Sequence, residues 1–419
     1  MIKNKIIGIF GATGCNDFGD YAMLINNLRY FYNIYCDYEY KIFSYNIENT
    51  ENNIKNNLKD IDIKYDVVDD LTKHFSFIEK VINKLGIITG KKNFYKAKYW
   101  DNMWNSTFQG NLSSINDSFL KELQECDKII FMGGGYIQNS WKLDNIKFMC
   151  EINCAHFLNK DIFFLGNTIG PIDQFESYVA NSVKFVKSIM VRDSDLFSYN
   201  NLINMNYSNK ILQGPDDLLF IEKSKKKIES YKKDYEYIVI EVMAWIDRAK
   251  KGKKVILDNI AKFCNYIIKQ ENKHIVLVNF HKEDIEGYNS INYIINSIEN
   301  KSMVDSINNI DNIYFIDEVY KNCKFSLSFR YHPLVLALGN KKPCIGVITD
   351  TDGYYYSKFA GAIKNLELNV EDSIMYIDDF NFNNLYSKYS KLVNNFKVDD
   401  MVMQKLYSER INYIEYILN

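Results

Sequence analysis

The chain holds only 4 prolines and 5 histidines in 419 residues, and neither sign of charge prevails, with 51 Lys and Arg against 53 Asp and Glu. A chain this close to neutrality has no global field to draw it to nucleic acid, so any anion site must be local. Five histidines make a multi-histidine metal centre a poor expectation. The eight cysteines are scattered, and the closest pair, Cys150 and Cys154, sits in a helical pattern with no second pair to complete a zinc site. They read as buried free thiols of a reducing compartment. No stretch reaches the ~18–20 apolar residues of a membrane span, and the opening MIKNKIIGIFGATG has an apolar run too short for a signal peptide. The expected location is cytoplasmic. A G-x-G-x-x-G fingerprint, a P-loop and a Ser-His-Asp elbow are also missing.

What is present has the balance of a folded globular protein, with 47% hydrophobic and 25% charged residues. The length suits two domains of ordinary size. Short β-branched or aromatic runs alternate with helical periods, the signature of parallel α/β architecture. Strands are expected at 4–10, 39–45, 62–68, 128–132, 161–165 and 188–192. A charge-dense stretch without apolar period, residues 222–236, reads as a linker. Strands then restart at 237–242, 274–280, 312–316, 324–328, 343–348 and 373–377. The expectation is two Rossmann-like domains, 1–221 and 237–419, with helices near 379–395 and 398–417 free to pack on either. The helix from Tyr21 to Tyr32 carries an apolar stripe broken only by Asn27. Residues 72–110 mix Lys with Phe, Tyr and Trp. That insertion is either helical with a solvated basic face or a surface for an acceptor or a lipid headgroup layer.

Several turns at strand ends carry the chemistry. In GATGCNDFGDYAML, residues 11–24, glycines allow close backbone approach and the following helix N-terminus offers free N–H groups to an anion. Asn16 and Asp20 are turn and cap residues there or line a cleft. In FMGGGYIQ the strand runs into Gly133, Gly134 and Gly135, and such costly flexibility points to a ligand near them and near Gln138. Arg192 leaves a strand end in MVRDSD, where it binds a ligand or pairs with an adjacent acid. The segment SLSFRYHPLVLALG, residues 326–339, is the most informative. A strand ends at Ser328, a helix starts near Pro333, and Arg330 and His332 lie in the turn, two residues apart and able to face one crevice. Arginine offers a planar fork to carboxylate or phosphate, and histidine a proton near neutral pH. His281, with Asp284, and Lys358 are further candidates.

Taken in order, GCNDFGDYAM, MGGGYIQ, GNTIGPI, VRDSD, PDDLLF, SFRYHPLVLALGNKKPCIGV and YSKFAG resemble the polysaccharide pyruvyltransferase family. The resemblance implies a GT-B-type pair of Rossmann-like domains. It implies transfer of the pyruvyl group of phosphoenolpyruvate to two sugar hydroxyls as a cyclic ketal, for cell-surface polysaccharide, without metal or redox cofactor. It further implies Arg192 and Arg330 on the donor's carboxylate and phosphate, His332 as proton donor or relay, and Lys358 as another anion contact. Asn167 stands where many relatives carry Gln, and EVMAW, residues 241–245, replaces a more usual arginine. The partners expected are phosphoenolpyruvate and a sugar or lipid-linked oligosaccharide, the latter consistent with work at the inner face of the membrane. A GT-B glycosyltransferase using a nucleotide sugar, or a non-catalytic assembly protein that keeps the fold, are the alternatives.

Overall fold

The computed structural model describes residues 5–71, 94–173, 175–193, 196–224, 231–242, 246, 250–349 and 353–419. Two parallel sheets organise them. The first contains β1 (Ile6–Phe10), β2 (Glu39–Ser44), β3 (Lys64–Asp69), β4 (Lys128–Phe131), β5 (Gly134–Ile137), β6 (Asp161–Ile169), β7 (Ser188–Val191) and β8 (Lys210–Gln213). Its order is β3-β2-β1-β4-β6-β7-β8, with β5 paired to β6. The second contains β9 (Tyr237–Glu241), β10 (His274–Val278), β11 (Val304–Ile307), β12 (Ser326–Ser328), β13 (Cys344–Ile348) and β14 (Ile374–Tyr376), in the order β11-β10-β9-β12-β13-β14. Both orders reverse beside their first strand, between β1 and β4 and between β9 and β12. Crevices for ligands form at such reversals, outside the carboxyl ends of the strands.

Central strands such as IIGIF and YIVIE are buried along nearly their whole length because helices cover both faces of the sheet. The expected strand at 312–316 is instead the start of a helix, Ile313–Asn322. Asn312 caps it by accepting from the Tyr314 and Phe315 amides at 2.9 and 3.1 Å. The apolar residues Ile313, Ile316, Val319 and Tyr320 then fall on one buried face, so helical spacing overrides the β-branched appearance of the first few. β6 runs on to Ile169, so GNTI belongs to a strand and not to its exit. β8 and β11 escape notice in the sequence because KILQ and VDSI are half-exposed edge strands with no continuous apolar run.

The helix Phe382–Asn395 sends Leu385, Tyr389 and Leu392 into the core of the second sheet. The last helix, Asp400–Leu418, crosses back to the first. Its Tyr413 hydroxyl donates to the Phe164 carbonyl at 2.9 Å, and its buried Arg410 bonds Asp217 at 2.8 Å and Asn27 at 2.5 Å. The polar break in the first helix is thereby explained. Asn27 faces the core because Asp217 and Arg410 meet it there, Asn27 itself donating to Asp217 at 2.6 Å.

Residues 72–93 of the aromatic insertion, 225–230 of the linker and 243–245 of EVMAW lie outside the described residues. The rest of the insertion forms the helix Phe94–Phe108, whose Trp100, Met103 and Trp104 are core residues. The Trp104 indole donates to Ser182 Oγ at 3.0 Å. These tryptophans are therefore packing groups and not a face for lipid headgroups. Among the described residues no helix is long and apolar enough to cross a membrane.

Main-chain pairing joins the two halves beside the reversal points. The Phe18 amide donates to the Phe280 carbonyl at 2.8 Å and the Lys282 amide to the Asn16 carbonyl at 3.3 Å. Further along, Arg29 Nε meets the Tyr314 hydroxyl at 2.5 Å and the Ile313 amide donates to Asn57 at 2.8 Å.

Candidate active site

A cavity of about 480 Å³ opens where the two reversal points face each other. The loop after β1 supplies Cys15 and Asp17, the first turn of the helix Phe18–Ile34 supplies Asp20, and β5 and its exit supply Gly135 and Gln138. The turn after β12 brings Arg330 and His332, and the helix Tyr354–Asn365 brings Lys358.

Arg330 occupies the N-cap position of the helix Tyr331–Gly339. Buried Glu241, at the end of β9, holds this turn by accepting from the Phe329 and Arg330 amides at 2.9 and 2.8 Å. The guanidinium reaches Asp17 at 2.6 Å across the cleft, and Glu241 and Asp284 at 3.3 Å each on its own side. Three carboxylates thus set its plane. Burial pushes the Glu241 carboxyl up to about 7, against the pull of Arg330.

Arg192 lies behind the cavity wall, fully buried. Nη1 bonds Asp216 at 2.5 Å and Nε bonds Thr168 at 3.0 Å. Nη2 has no partner among the described residues. It points to the glycine turn, since a Cβ built on Gly135 would sit 3.2 Å from it. Arg192 and Lys358 both stack on Tyr331, at 4.6 and 4.4 Å from the ring centroid. Burial, then the Arg192 charge, lowers the Lys358 ammonium to about 7.

His332 is buried and Nε2 has no hydrogen-bond partner among the described residues. Burial, then Lys358 and Arg192, holds it well below the usual imidazole range. The ring is therefore neutral at pH 7. Gly19 makes room for it, because a Cβ built there falls inside the imidazole ring. Asp20 is raised to about 7 by burial and by Asp17. Burial also raises the Cys15 thiol, so that residue offers no thiolate at neutral pH.

The cavity therefore unites Arg330, His332, Lys358, Asp20, Gly135 and Gln138, with Arg192 reaching it from behind. Four other expected residues stand apart. Asn16 accepts from Asn49 at 3.1 Å and, through its carbonyl, joins the main-chain pairing between the halves. His281 pairs by backbone with Asp17, and its Nδ1 accepts from the Glu283 amide at 3.3 Å. Asn167 is buried in β6, donating to the Met132 and Leu165 carbonyls. Gly134 belongs to β5, where a Cβ would strike the Tyr136 ring. Each of these sits in or near a strand end, where Asn16, Asn167 and His281 hydrogen-bond within the fold and Gly134 leaves room for a neighbouring ring. Sequence reasoning in turn missed Asp17, Glu241 and Gly19. Only the D-x-G-D pattern hinted at the first, as a cap, and Asp17 does accept from the Gly19 amide at 3.0 Å. Among the described residues no group of three or more His, Cys, Asp or Glu could hold a metal ion.

Two Rossmann-like domains with a site at both reversal points define a GT-B-type architecture. The chain belongs to the polysaccharide pyruvyl transferase family, whose model matches residues 17–351. No curated protein sequence matches it. Among solved structures it is similar to the UDP-GlcNAc 2-epimerase of Methanocaldococcus jannaschii, at 16% identity over 98% of this chain and 99% of that one, with a TM-score of 0.59. The UDP-GlcNAc 2-epimerase of Neisseria meningitidis bound to UDP-GlcNAc gives 12% identity, 99% of both chains and a TM-score of 0.59. HepE of Anabaena, in complex with UDP and glucose, gives 13% identity over 99% of this chain and 98% of that one, with a TM-score of 0.51. At these identities the likeness is one of fold.

Proposed function

We propose that the protein transfers the pyruvyl group of phosphoenolpyruvate to two hydroxyls of one sugar, forming a cyclic ketal and releasing phosphate, in the assembly of a cell-surface polysaccharide. The observation that carries this reading is the convergence of Arg330, Lys358 and His332 on one cavity, with the unpaired Nη2 of Arg192 behind its wall beside Gly135. Phosphoenolpyruvate presents a carboxylate and a phosphate close together, which suits two arginine forks. Arg192 and Lys358 stacked on one ring repel each other, and an arriving phosphate relieves that repulsion.

The donor's C3 takes a proton, which makes C2 electrophilic. Lys358, lowered to about 7, is the acid best matched to that task at neutral pH. Bound phosphate raises the proton affinity of both Lys358 and His332, so His332 relays protons once substrate is in place. A first sugar hydroxyl adds to C2, giving up its proton to Asp20. The C2–O bond to phosphate breaks, a second hydroxyl closes the ketal, and the two hydroxyl protons balance those gained by C3 and phosphate.

The test is incubation with labelled phosphoenolpyruvate and a panel of glycosides. The expected product is heavier than the glycoside by one pyruvyl unit, with one phosphate released. Thermal stabilisation by UDP or GDP sugars but not by phosphoenolpyruvate, with no such product, overturns the reading in favour of glycosyl transfer.

A further inference from the structure

Beyond the cationic groups, the same cavity continues onto a wall of different character. The 3-10 turn Asn139–Trp141 and the first turns of the helix Lys142–Phe157 supply Trp141, Asp144, Lys147 and Phe148, and the end of β2 is followed by Tyr45. Two of these rings are open to solvent, Trp141 at 49% and Tyr45 at 43% exposure. Phe148 and Tyr136 form the buried backing, with ring centroids 4.7 Å apart. Large aromatic faces left open inside a cavity are apolar surface that a ligand can cover.

The charges along this wall cancel. Lys147 is bonded to Asp70 and lies 3.9 Å from Glu151. Burial pushes the Glu151 carboxyl up to about 8, so at neutral pH the three groups sum to zero. Asp144 pairs with Lys96 at 3.6 Å. A diphosphate or uronate finds no spare cation here, in contrast to the end that holds Lys358. Gln138 accepts from the Ser140 amide at 2.9 Å through Oε1, and its Nε2 makes no hydrogen bond among the described residues. That leaves one neutral donor facing a ligand. Tyr45 lines the same cavity as Cys15 and Asp20, so the aromatic wall adjoins the carboxylate proposed to take the hydroxyl proton.

We propose that the wall formed by Tyr45 and Trp141 seats the acceptor as an uncharged pyranose ring, its C–H face on the aromatic rings and its hydroxyls toward Gln138 and Asp20. This rests on the pyruvyl-transfer reading for the word acceptor, but the sugar site itself does not. An uncharged ring needs apolar contact on one face and a few neutral hydrogen bonds on its rim, and this wall offers both. A negatively charged sugar would have to strip Asp70 or Glu151 from Lys147.

The experiment measures binding of methyl galactopyranoside, methyl glucopyranoside and methyl glucuronide to the full chain by saturation-transfer NMR, with and without phosphoenolpyruvate. At least one neutral glycoside is expected to bind, at least fivefold more tightly than the glucuronide. Trp141→Ala and Tyr45→Ala should each weaken it at least fivefold, with the affinity for phosphoenolpyruvate changed less than twofold. Tyr45→Phe keeps the ring and should retain glycoside binding, which separates stacking from misfolding. Equal or tighter binding of the glucuronide, no binding of either neutral glycoside, or binding untouched by both alanine variants, overturns the proposal. Glycoside binding that depends on Trp141 in a protein that never releases phosphate from phosphoenolpyruvate keeps the sugar site and discards pyruvyl transfer. Pyruvyl transfer whose acceptor KM ignores Trp141 does the reverse.

Discussion

Asp216 and Asp217 are adjacent in the chain and both buried, and each holds a buried arginine, yet they serve different ends. Asp217 faces the core. Its oxygens take Arg410, Asn27 and the Gly133 amide, and through Arg410 it fastens the last helix to the first sheet. Asp216 holds Arg192 by Nη1, leaving Nη2 beside Gly135 without a partner among the described residues. Arg410 also has an unpaired nitrogen, but it is Nε, enclosed in the core. Two ion pairs of the same chemistry are thus told apart by where the spare N–H points, and only the one beside Gly135 suits the proposed donor site.

That comparison breaks first on stability. Arg410→Ala leaves Asp217 as an uncompensated buried charge and should cost about 3–5 kcal/mol, read as a lower urea midpoint. The kcat/KM of the molecules that remain folded should be unchanged. Arg192→Lys keeps a cation for Asp216 but loses the fork, and should lower kcat/KM for phosphoenolpyruvate by about 100-fold, roughly 2.7 kcal/mol. Its urea midpoint should move far less. If Arg410→Lys lowers kcat/KM as much as Arg192→Lys does, the distinction between the two pairs is wrong.

The pH profile carries a third test. As the proposed acid, Lys358 works only when protonated, so kcat/KM should fall as pH rises through about 7. As the proposed base, Asp20 works only when ionised, so activity should also fall as pH drops through about 7, giving a narrow bell. Lys358→Arg should remove the alkaline limb along with most of the rate. The same shift has a stability side. The folded chain binds the Lys358 proton less readily than the unfolded chain, so this residue's contribution becomes more favourable as pH rises from about 7 toward the ordinary lysine range. Lys358→Met should accordingly raise stability at pH 7 by about 1 kcal/mol while abolishing turnover, and thermal unfolding across that pH range checks the sign.

Much of the architecture was legible because parallel strands under helices must be continuous apolar runs. The central strands were found on that signal, and the edge strands β8 and β11 were missed for want of it. The strand–turn–helix around Arg330 and His332 was legible for a local reason: Ser328, Pro333 and the leucines after it mark a strand end and a helix start within a few residues. Asn16, Asn167 and His281 show the limit of that logic. Each sits near a strand end, but whether its side chain faces the cavity or a neighbouring backbone depends on partners distant in the chain.

The sequence by itself determined two α/β units, the turns that end their strands and the residue types available there, because period and turn chemistry act over a few residues. Only the tertiary structure decided which of those residues meet. Asp17 and Arg330 are 313 positions apart and form an ion pair across the cleft. Lys358 and His332 were placed in surroundings that move their proton affinities in ways no local pattern records. Burial and the position of neighbouring charges are properties of the assembled cleft, and they set whether a side chain is an acid, a base or a strut.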